Sequence, residues 1–297
     1  GTLATRSMNR PASLLVGGGT VIGYSNWYRH ISLALRLSGA QQAILLGAGS
    51  ASAGDHAATS MQPVCWEAWR SDPRIKIHGV RGPLTIASMT NAHITSDMPV
   101  VGDLGLLYEP LDSRRSPDPT DRDGRSLGVA LGNDSGSSFP LSDIVQAVAQ
   151  LSPRLFDRYT VLALSRNDYA MARRLQSALG PRARLIEYSG DIAGVMREIS
   201  QCSVVVSERL HGCVAAAALR VPPISLAYLS KCRDFMMSIG LDDYSVRPGS
   251  TPEQISRMIS EAATDSDSSW KARVATLVAS LKSKADEVIN DAALVRP

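Results

Sequence analysis

Short apolar runs alternate with longer amphipathic runs along most of this chain. The short runs are rich in valine, isoleucine and leucine, and they are apolar at successive positions instead of alternate ones. Continuous apolarity is typical of strands that are covered on both faces. The predicted strands are Ser13–Val16, Ala43–Leu46, Ile75–Val80, Pro99–Val101, Leu127–Leu131, Thr160–Leu164, Arg184–Glu187, Ser203–Val206 and Pro223–Ala227.

Between these runs, apolar residues recur at helical spacing. Pro83, directly after Arg81 and Gly82, suits the first turn of a helix. Strands that alternate with helices predict an α/β fold with parallel sheets and right-handed crossovers. The predicted helices are Pro83–Thr90, Leu141–Leu151, Asp168–Leu179, Ile192–Cys202 and Ser269–Asn290.

A polar, proline-rich stretch over residues 110–125 separates two sets of strands and contains almost nothing to bury. We therefore predict an N-terminal Rossmann-like domain over residues 1–115, a linker over 116–126 and a C-terminal Rossmann-like domain over 127–297. The final helix is expected to pack back on the first domain. Because ligands of open parallel sheets bind beyond the carboxyl ends of the strands, residues that follow each strand are the candidate site.

Composition excludes some classes of function. The chain is 44% hydrophobic and 20% charged, which is ordinary for a globular protein, and its net charge is only +3. Concentrated basic runs are missing, so we expect no nucleic-acid partner. The four cysteines form no CxxC pair and are interpreted as free thiols in a reducing cytoplasm.

The ends and apolar runs of the chain carry further expectations. Eighteen consecutive apolar residues occur nowhere, so we expect no spanning helix. The start shows neither an initiator methionine nor the apolar core of a signal peptide, which suggests a trimmed or processed chain.

The sharpest candidate chemistry follows the strand Ser203–Val206, in the segment Ser207-Glu-Arg-Leu-His211 before a run of small residues. A helix start there supplies free N–H groups and a positive dipole end, which favour an anion. Arg209 can bind a phosphate or carboxylate through two hydrogen bonds, and His211 can donate a hydrogen bond or a proton. A surface arginine with a capping histidine remains the alternative.

Two further cations occupy equivalent positions. Lys231 follows the strand Pro223–Ala227, and Arg81 follows Ile75–Val80 before the helix that begins at Pro83. Alone, Lys231 is more typical of solvated surface and Arg81 of a structural role. Three cations at strand ends favour one shared anion site more than any of them does alone.

Glycines and a histidine complete the candidates. Gly17-Gly18-Gly19 follows the first strand and lets a ligand or a backbone approach closely, although tight turning explains it equally well. His56 lies in a polar loop and can face a sugar or simply decorate the surface. Asp103 follows Pro99–Val101 and is interpreted as structural. Nucleotide-binding glycine loops, HExxH and GxSxG are missing, and we expect no metal.

Together these residues resemble the polysaccharide pyruvyl transferase family over most of the span from Leu14 to Leu241. Leu14–Thr20 resembles its Gly-rich loop, Val80-Arg81 its donor-binding arginine segment, and Val101-Gly102-Asp103 its Gly-Asp motif. Ser207–His211 with the downstream Lys231 is the most specific part.

The resemblance implies two Rossmann-like domains facing a cleft, as in GT-B glycosyltransferases, with the active site between them. It implies phosphoenolpyruvate as the donor and co-substrate, no other cofactor, and a sugar of a polysaccharide or a lipid-linked glycan as the acceptor. The first domain is expected on the acceptor side and the second on the donor side. A cytoplasmic protein is implied, with contact to the inner face of the membrane if the acceptor is lipid-linked. The implied donor-site residues are Arg81, Arg209, Leu210, His211 and Lys231, and the implied loop residues are Gly18 and Gly19.

In the expected reaction, a pyruvate ketal forms and phosphate leaves, with Arg81 and His211 as the catalytic candidates and His211 as the candidate general acid. We expect Arg209→Ala or His211→Ala to abolish transfer with the fold intact. A nucleotide-sugar glycosyltransferase of the same architecture and a non-catalytic glycan-binding protein are the alternatives. Relatives typically have an additional βα segment before the Gly-rich loop, often with an acidic residue near the acceptor, whereas few residues precede Leu14 here. Either this chain is truncated or this member is short, and the catalytic base stays unassigned.

Overall fold

The structure is a computed structural model that describes residues 13–50, 52, 64–94, 97–109, 125–132 and 138–294, with side chains described up to 290. The chain divides into two compact units, one of Gly1–Leu104 with Ala279–Pro297 and one of Gly105–Val278. Of the predicted linker, only Arg125 and Ser126 lie in the described residues, and Ser126 already begins a strand.

The first unit contains a parallel sheet whose central strand is β3. Strands β1 and β2 pair one after the other along one side of β3, and β4 pairs along its other side. The helices α1, α2 and α3 connect or follow these strands. The bounds are β1 Ser13–Gly17, β2 Thr20–Ile22, α1 Ser25–Ser38, β3 Gln42–Ser50, α2 Trp66–Ser71, β4 Ile75–Val80 and α3 Pro83–Asn91.

This unit differs from expectation at one predicted strand and at three elements that were not predicted, β2, α1 and α2. The predicted strand Pro99–Val101 is wrong, because only an isolated parallel bridge joins Val100 to Val80. Helix α1 was not predicted, although its buried residues Ile31, Ser32 and Leu35 follow helical spacing.

The second unit contains a six-stranded parallel sheet in the order β10-β9-β8-β5-β6-β7. Every residue of β5 and of β9 is buried, as their continuous apolar runs predict for strands covered on both faces. The bounds are β5 Ser126–Ala130, α4 Leu141–Ala149, β6 Arg158–Ala163, α5 Tyr169–Leu179, β7 Ala183–Glu187, α6 Ile192–Ser200, β8 Cys202–Ser207, α7 Leu210–Ala218, β9 Pro223–Leu226, α8 Ser230–Ser238, β10 Ser245–Val246, α9 Pro252–Thr264 and α10 Ser269–Leu294.

The strand order of the second sheet locates its ligand-binding edge. From β5 the chain moves outward through β6 and β7, and it then returns to the other side of β5 to form β8, β9 and β10. The direction of winding therefore reverses between β5 and β8, and open parallel sheets bind ligands beyond the carboxyl ends at such a point. The segments after β5 and β8 start at Leu131 and Glu208.

No helix in the described residues is both long enough and apolar enough to cross a membrane.

Candidate functional site

The connection after β8 is tied to the end of β5 at the point where the winding reverses. Glu208 N–H donates to the Ala130 carbonyl at 2.8 Å, which extends the strand ladder by one bond. The buried Glu208 carboxylate then accepts a hydrogen bond from Gly132 N–H at 2.7 Å. These two bonds hold Glu208, the residue directly before Arg209, against the end of β5.

Arg209 reaches across the end of β5 to a carboxylate that follows β6. Its Nε and Nη2 both donate to Asp168, and the Nε bond measures 3.2 Å. Asp168 is fully buried, whereas the Arg209 side chain keeps 31% of its surface exposed. The carboxylate therefore fixes the guanidinium in one orientation, and part of the Arg209 side chain stays open to solvent.

The ion pair between Arg209 and Asp168 determines the charge of Arg209 at the carboxyl edge of the second sheet. Burial lowers the pKa of Arg209, but the hydrogen bonds and the negative charge of Asp168 outweigh it and hold that pKa above its ordinary value. Asp168 occupies one side of the planar fork, the side formed by Nε and Nη2. A guanidinium has five N–H donors, so the edge formed by Nη1 and Nη2 still offers two parallel hydrogen bonds to an oxyanion.

Helix α7 begins at the same place. Ser207 Oγ accepts from Arg209 N–H at 3.1 Å and donates to the Arg209 carbonyl at 2.7 Å, which shapes the tight turn before the helix. A Cβ on Gly212 would lie 2.2 Å from Ser207 Oγ, so only glycine lets the first helical turn approach the strand end this closely. His211 lies in that first turn with an exposed side chain.

Lys231 lies in the first turn of α8, which follows β9. Its Nζ is 5.5 Å from the centre of the Tyr228 ring, a cation–π distance. Tyr228 is also among the groups that raise the pKa of Arg209, after Asp168. The thiol of Cys232 lies 3.8 Å from the Glu208 carbonyl, so the start of α8 contacts the connection that carries Arg209.

In the first unit, the arginine after β4 is held differently. Arg81 is fully buried, and its Nη1 donates to the Gly19 carbonyl at 3.3 Å and to Thr20 Oγ1 at 3.2 Å. A Cβ on Gly49 would lie 2.1 Å from Arg81 Nη2, so the guanidinium fills space that a side chain on β3 would otherwise take.

Arg81 therefore supports the Gly-rich turn after β1. Gly18 and Gly19 have φ values of 65° and 70°, which favour glycine, and the Gly19 carbonyl also accepts from Gly49 N–H at 2.8 Å. Asp103 is buried near the same sheet. His56 lies outside the described residues, so its proposed contact with a sugar stays a prediction.

The amino-acid sequence matches the family of polysaccharide pyruvyl transferases over residues 5–230. The chain belongs to this family. It is therefore an enzyme, a pyruvyltransferase, and the resemblance drawn from its motifs is confirmed.

Solved structures resemble the pyruvyltransferase in fold. HepE from Anabaena, solved with UDP, has a TM-score of 0.55 at 12% identity, over 90% of this chain and 76% of that one. The UDP-GlcNAc 2-epimerase of Methanocaldococcus jannaschii, solved with UDP-GlcNAc and UDP, has a TM-score of 0.53 at 12% identity, over 84% and 79%. A putative UDP-N-acetylglucosamine 2-epimerase from Listeria monocytogenes gives 0.53 at 12%, over 89% and 68%.

These similarities are in fold alone, and they confirm the predicted GT-B-like class with Rossmann-like parallel-sheet domains. No protein of curated function matches the pyruvyltransferase significantly by sequence.

Four of the predicted residues of the pyruvyltransferase come from one edge of its second sheet: Arg209, Leu210, His211 and Lys231. Leu210 is buried and anchors the start of α7. Arg81, Gly18 and Gly19 form a separate group in the first unit. That the two groups act on one substrate stays a prediction.

Sequence analysis missed the residues that hold the arginines in place. Asp168 was interpreted only as the start of a helix. Its position after β6 could have identified it as a partner of Arg209, because the segments after β6 and β8 lie at the same carboxyl edge of the sheet. Gly212, directly after His211, could likewise have indicated that the first turn of α7 lies close to the end of β8. The contact between Glu208 and Gly132 joins residues 76 apart and had no signal in the sequence.

Among the described residues, no three or more His, Cys, Asp or Glu side chains are grouped so that they could hold a metal ion. All four cysteines are free, and Cys202, Cys213 and Cys232 are buried. Burial raises the pKa of the Cys213 thiol, and the neighbouring Cys232 adds to this effect, which keeps Cys213 protonated at neutral pH.

Proposed function

We propose that this pyruvyltransferase moves the pyruvyl group of phosphoenolpyruvate onto a sugar of a polysaccharide or a lipid-linked glycan, forming a cyclic ketal and releasing phosphate. The family match supports the transferred group. The observation that carries the proposal is the pair Arg209–Asp168 beside His211, at the carboxyl edge where the second sheet reverses its winding.

The donor has two anionic groups, a phosphate and a carboxylate. The open edge of Arg209 offers two parallel N–H donors, the arrangement that binds either group in bidentate fashion. The first turn of α7 adds unpaired backbone N–H groups and the positive end of the helix dipole. Lys231 supplies another cation from α8. These groups favour a small dianion over a neutral sugar at this edge.

The chemistry begins with a proton. The enol double bond of phosphoenolpyruvate gives its electron pair to a proton from His211, so that the terminal CH₂ becomes CH₃ and C2 becomes electrophilic. A sugar hydroxyl then attacks C2, and the proton that it releases returns to His211, which is protonated again at the end of the step. Proton transfer by a positioned histidine typically accelerates a reaction by about 10²–10⁴-fold.

A second hydroxyl of the sugar completes the ketal. It attacks the same carbon, the bond between C2 and the phosphate oxygen breaks, and phosphate leaves with that bonding pair. The phosphate takes up the proton released by the second hydroxyl. The guanidinium of Arg209 stabilises the charge that grows on the leaving phosphate, and its orientation is set beforehand by Asp168. The scheme uses phosphoenolpyruvate as co-substrate and no other cofactor.

Arg81 has a different place in the proposal. Because it is fully buried and donates to Gly19 and Thr20, we assign it the role of holding the Gly-rich turn, whose backbone then faces the acceptor. A direct catalytic contact of Arg81 with the donor stays a prediction, and so does the contact of His56 with the acceptor.

The decisive experiment incubates the enzyme with phosphoenolpyruvate and a panel of glycans and measures two products. We expect phosphate release that depends on the glycan, together with a gain in glycan mass equal to pyruvate less one water. Phosphate release without a modified glycan, or neither product, would contradict the proposal.

A thermal-shift titration tests the donor alone. Because a ligand that binds only the folded protein raises its melting temperature, phosphoenolpyruvate should stabilise the protein and UDP should not. UDP is the matched control because the neighbours HepE and the Methanocaldococcus epimerase were solved with it. Stabilisation by UDP alone would favour a nucleotide-sugar enzyme instead.

A further inference from the structure

Helix α1 carries an unusual set of side chains on its solvent side. Leu37, Leu33 and Trp27 are exposed to 79%, 51% and 39%, which are half of the large hydrophobic residues exposed in the described structure. Arginines and a histidine share this surface. We call it the α1 outer face, and it consists of Trp27, Arg29, His30, Leu33, Arg36 and Leu37.

The residues form two neighbouring rows at helical spacing. Trp27, His30 and Leu37 follow one row, and the Trp27 and His30 rings contact edge to face at 5.8 Å between centroids. Leu33 lies in the second row between Arg29, four residues earlier, and Arg36, three residues later. Leu33 therefore lies close to two arginines whose long stems can extend past it, and Leu37 follows Leu33 one helical turn later.

The charge around this face has one sign. Residues 1–54 contain four arginines, no lysine and no acidic residue, in a chain whose total net charge is only +3. Within the described residues, neither Arg29 nor Arg36 forms a salt bridge, unlike Arg74, Arg173 and Arg209. The α1 outer face is thus apolar and cationic, with no counter-charge of its own.

We propose that the α1 outer face binds the surface of an anionic lipid bilayer. An amphipathic helix with tryptophan and leucine on the side that meets the membrane, flanked by arginines, lies in the interface between headgroups and acyl chains. Arginines near an anionic leaflet strengthen binding by about fivefold each. Tryptophan prefers this interface because its ring is apolar and its N–H is polar.

A second copy of the chain fits this face less well. In a two-fold symmetric dimer the same patch meets itself, so Arg29 and Arg36 would face the arginines of the other copy with no acidic residue between them. An anionic lipid surface supplies the negative charge that the α1 outer face lacks, and its acyl chains accommodate Leu33 and Leu37. The proposal is independent of the donor and acceptor chemistry.

Vesicle flotation tests the proposal with the full chain. We expect wild-type protein to float with vesicles of phosphatidylcholine and phosphatidylglycerol and to stay behind with vesicles of phosphatidylcholine alone. Leu33→Gln with Leu37→Gln should weaken binding about tenfold or more, because two exposed apolar anchors are lost. Arg29→Gln with Arg36→Gln should weaken it by more than about tenfold at low salt.

Matched controls separate this face from general stickiness. Ile192→Gln removes an exposed isoleucine of the second unit and Arg154→Gln removes an exposed arginine there, and both should float like wild type. Trp69 and Trp270 are buried and Trp66 is partly buried, so a blue shift of tryptophan fluorescence with anionic vesicles should come mainly from Trp27 and be strongly reduced in Trp27→Phe.

Three results would overturn the proposal. These are no flotation of the wild type with anionic vesicles, equal flotation of wild type and the α1 variants, or a wild-type dimer that the leucine substitutions convert to a monomer. Because no step needs phosphoenolpyruvate, failure here leaves the proposed reaction standing, and failure of the reaction leaves the membrane result standing.

Discussion

The carboxyl edges of the two sheets each present an arginine, and the two arginines are used in opposite ways. Arg81 follows β4 and is fully buried, with Nη1 bonded to Gly19 and Thr20 of its own unit. Arg209 follows β8, is fixed by the buried Asp168, and keeps 31% of its side chain exposed. One arginine holds a backbone turn, and the other presents donors to solvent.

The difference shows that the position of a residue after a strand does not decide its role. Both arginines fit the same sequence rule, and both precede a helix start. The two arginines differ in the residue that each one contacts. Gly49 leaves space that the Arg81 guanidinium fills, whereas the Asp168 carboxylate orients Arg209 and leaves part of its side chain exposed. The neighbour therefore decides which arginine is available to a ligand.

The largest effect is expected for His211→Ala. His211 is exposed in the first turn of α7, so its removal should change the free energy of unfolding by less than about 0.5 kcal/mol. If it is the general acid, kcat for glycan-dependent phosphate release should fall by about 10²–10⁴-fold. Near-normal phosphate release by a folded His211→Ala protein would remove His211 from the mechanism.

The next effect concerns the exposed arginine. The expectation from sequence that Arg209→Ala leaves the fold intact needs correction, because this variant would leave the buried Asp168 carboxylate unpaired at a cost of about 3–5 kcal/mol in stability. Arg209→Lys keeps a positive charge near Asp168 but loses the planar fork, so kcat/KM for phosphoenolpyruvate should fall by about 100-fold with a smaller change in stability.

Arg173→Lys is the control for that substitution. Arg173 forms an exposed ion pair with Glu187 on the same sheet, away from the carboxyl edge of β8, and should tolerate lysine. Equal kinetics for Arg209→Lys and wild type would mean that the fork does not bind the donor.

The third effect concerns the buried arginine. Arg81→Met should lower the free energy of unfolding by about 3 kcal/mol, because inside the protein Thr20 Oγ1 loses the Arg81 donor and the Gly19 carbonyl keeps only its bond from Gly49 N–H. Differential scanning calorimetry measures this loss. Full stability with reduced donor affinity would instead place Arg81 in contact with phosphoenolpyruvate and would reverse the contrast drawn above.

The smallest effect comes from a second arginine–aspartate fork, at the amino end of β4. Arg74 donates to Asp72 through Nε at 2.9 Å and Nη2 at 2.7 Å, and these side-chain bonds contribute most to lowering the pKa of Asp72 from 3.8 to about 2. The folded-state pKa is depressed, so this pair stabilises the fold above the unfolded pKa and loses its effect as pH falls from about 4 to about 2.

Asp72→Asn should therefore cost about 1 kcal/mol at neutral pH, a discounted figure because Arg74 is 43% exposed. The stabilities of variant and wild type should converge as pH falls toward 2. Urea midpoints measured from neutral pH downward give this curve. A difference that stays constant with pH would show that the pair acts through packing alone.

The fold was largely predictable from the sequence. Parallel strands buried on both faces carry continuous apolar runs, and eight of the predicted strands overlap the observed ones. The failures have local causes. Pro99–Val101 is too short to form more than one bridge, and the missed elements β2 and α2 are short, with three and six residues. Helix α1 was missed although its buried residues Ile31, Ser32 and Leu35 follow helical spacing.

By itself the sequence determined the α/β class and the family, and it predicted that Arg209, Leu210, His211 and Lys231 follow strand ends, because motif spacing and apolar runs are local properties of the chain. Only the tertiary structure decided what each cation does. Asp168 lies 41 residues before Arg209, and Gly49 lies on a different strand from Arg81. Such contacts arise when separate strands meet in a sheet, and the charge and exposure of each arginine depend on them.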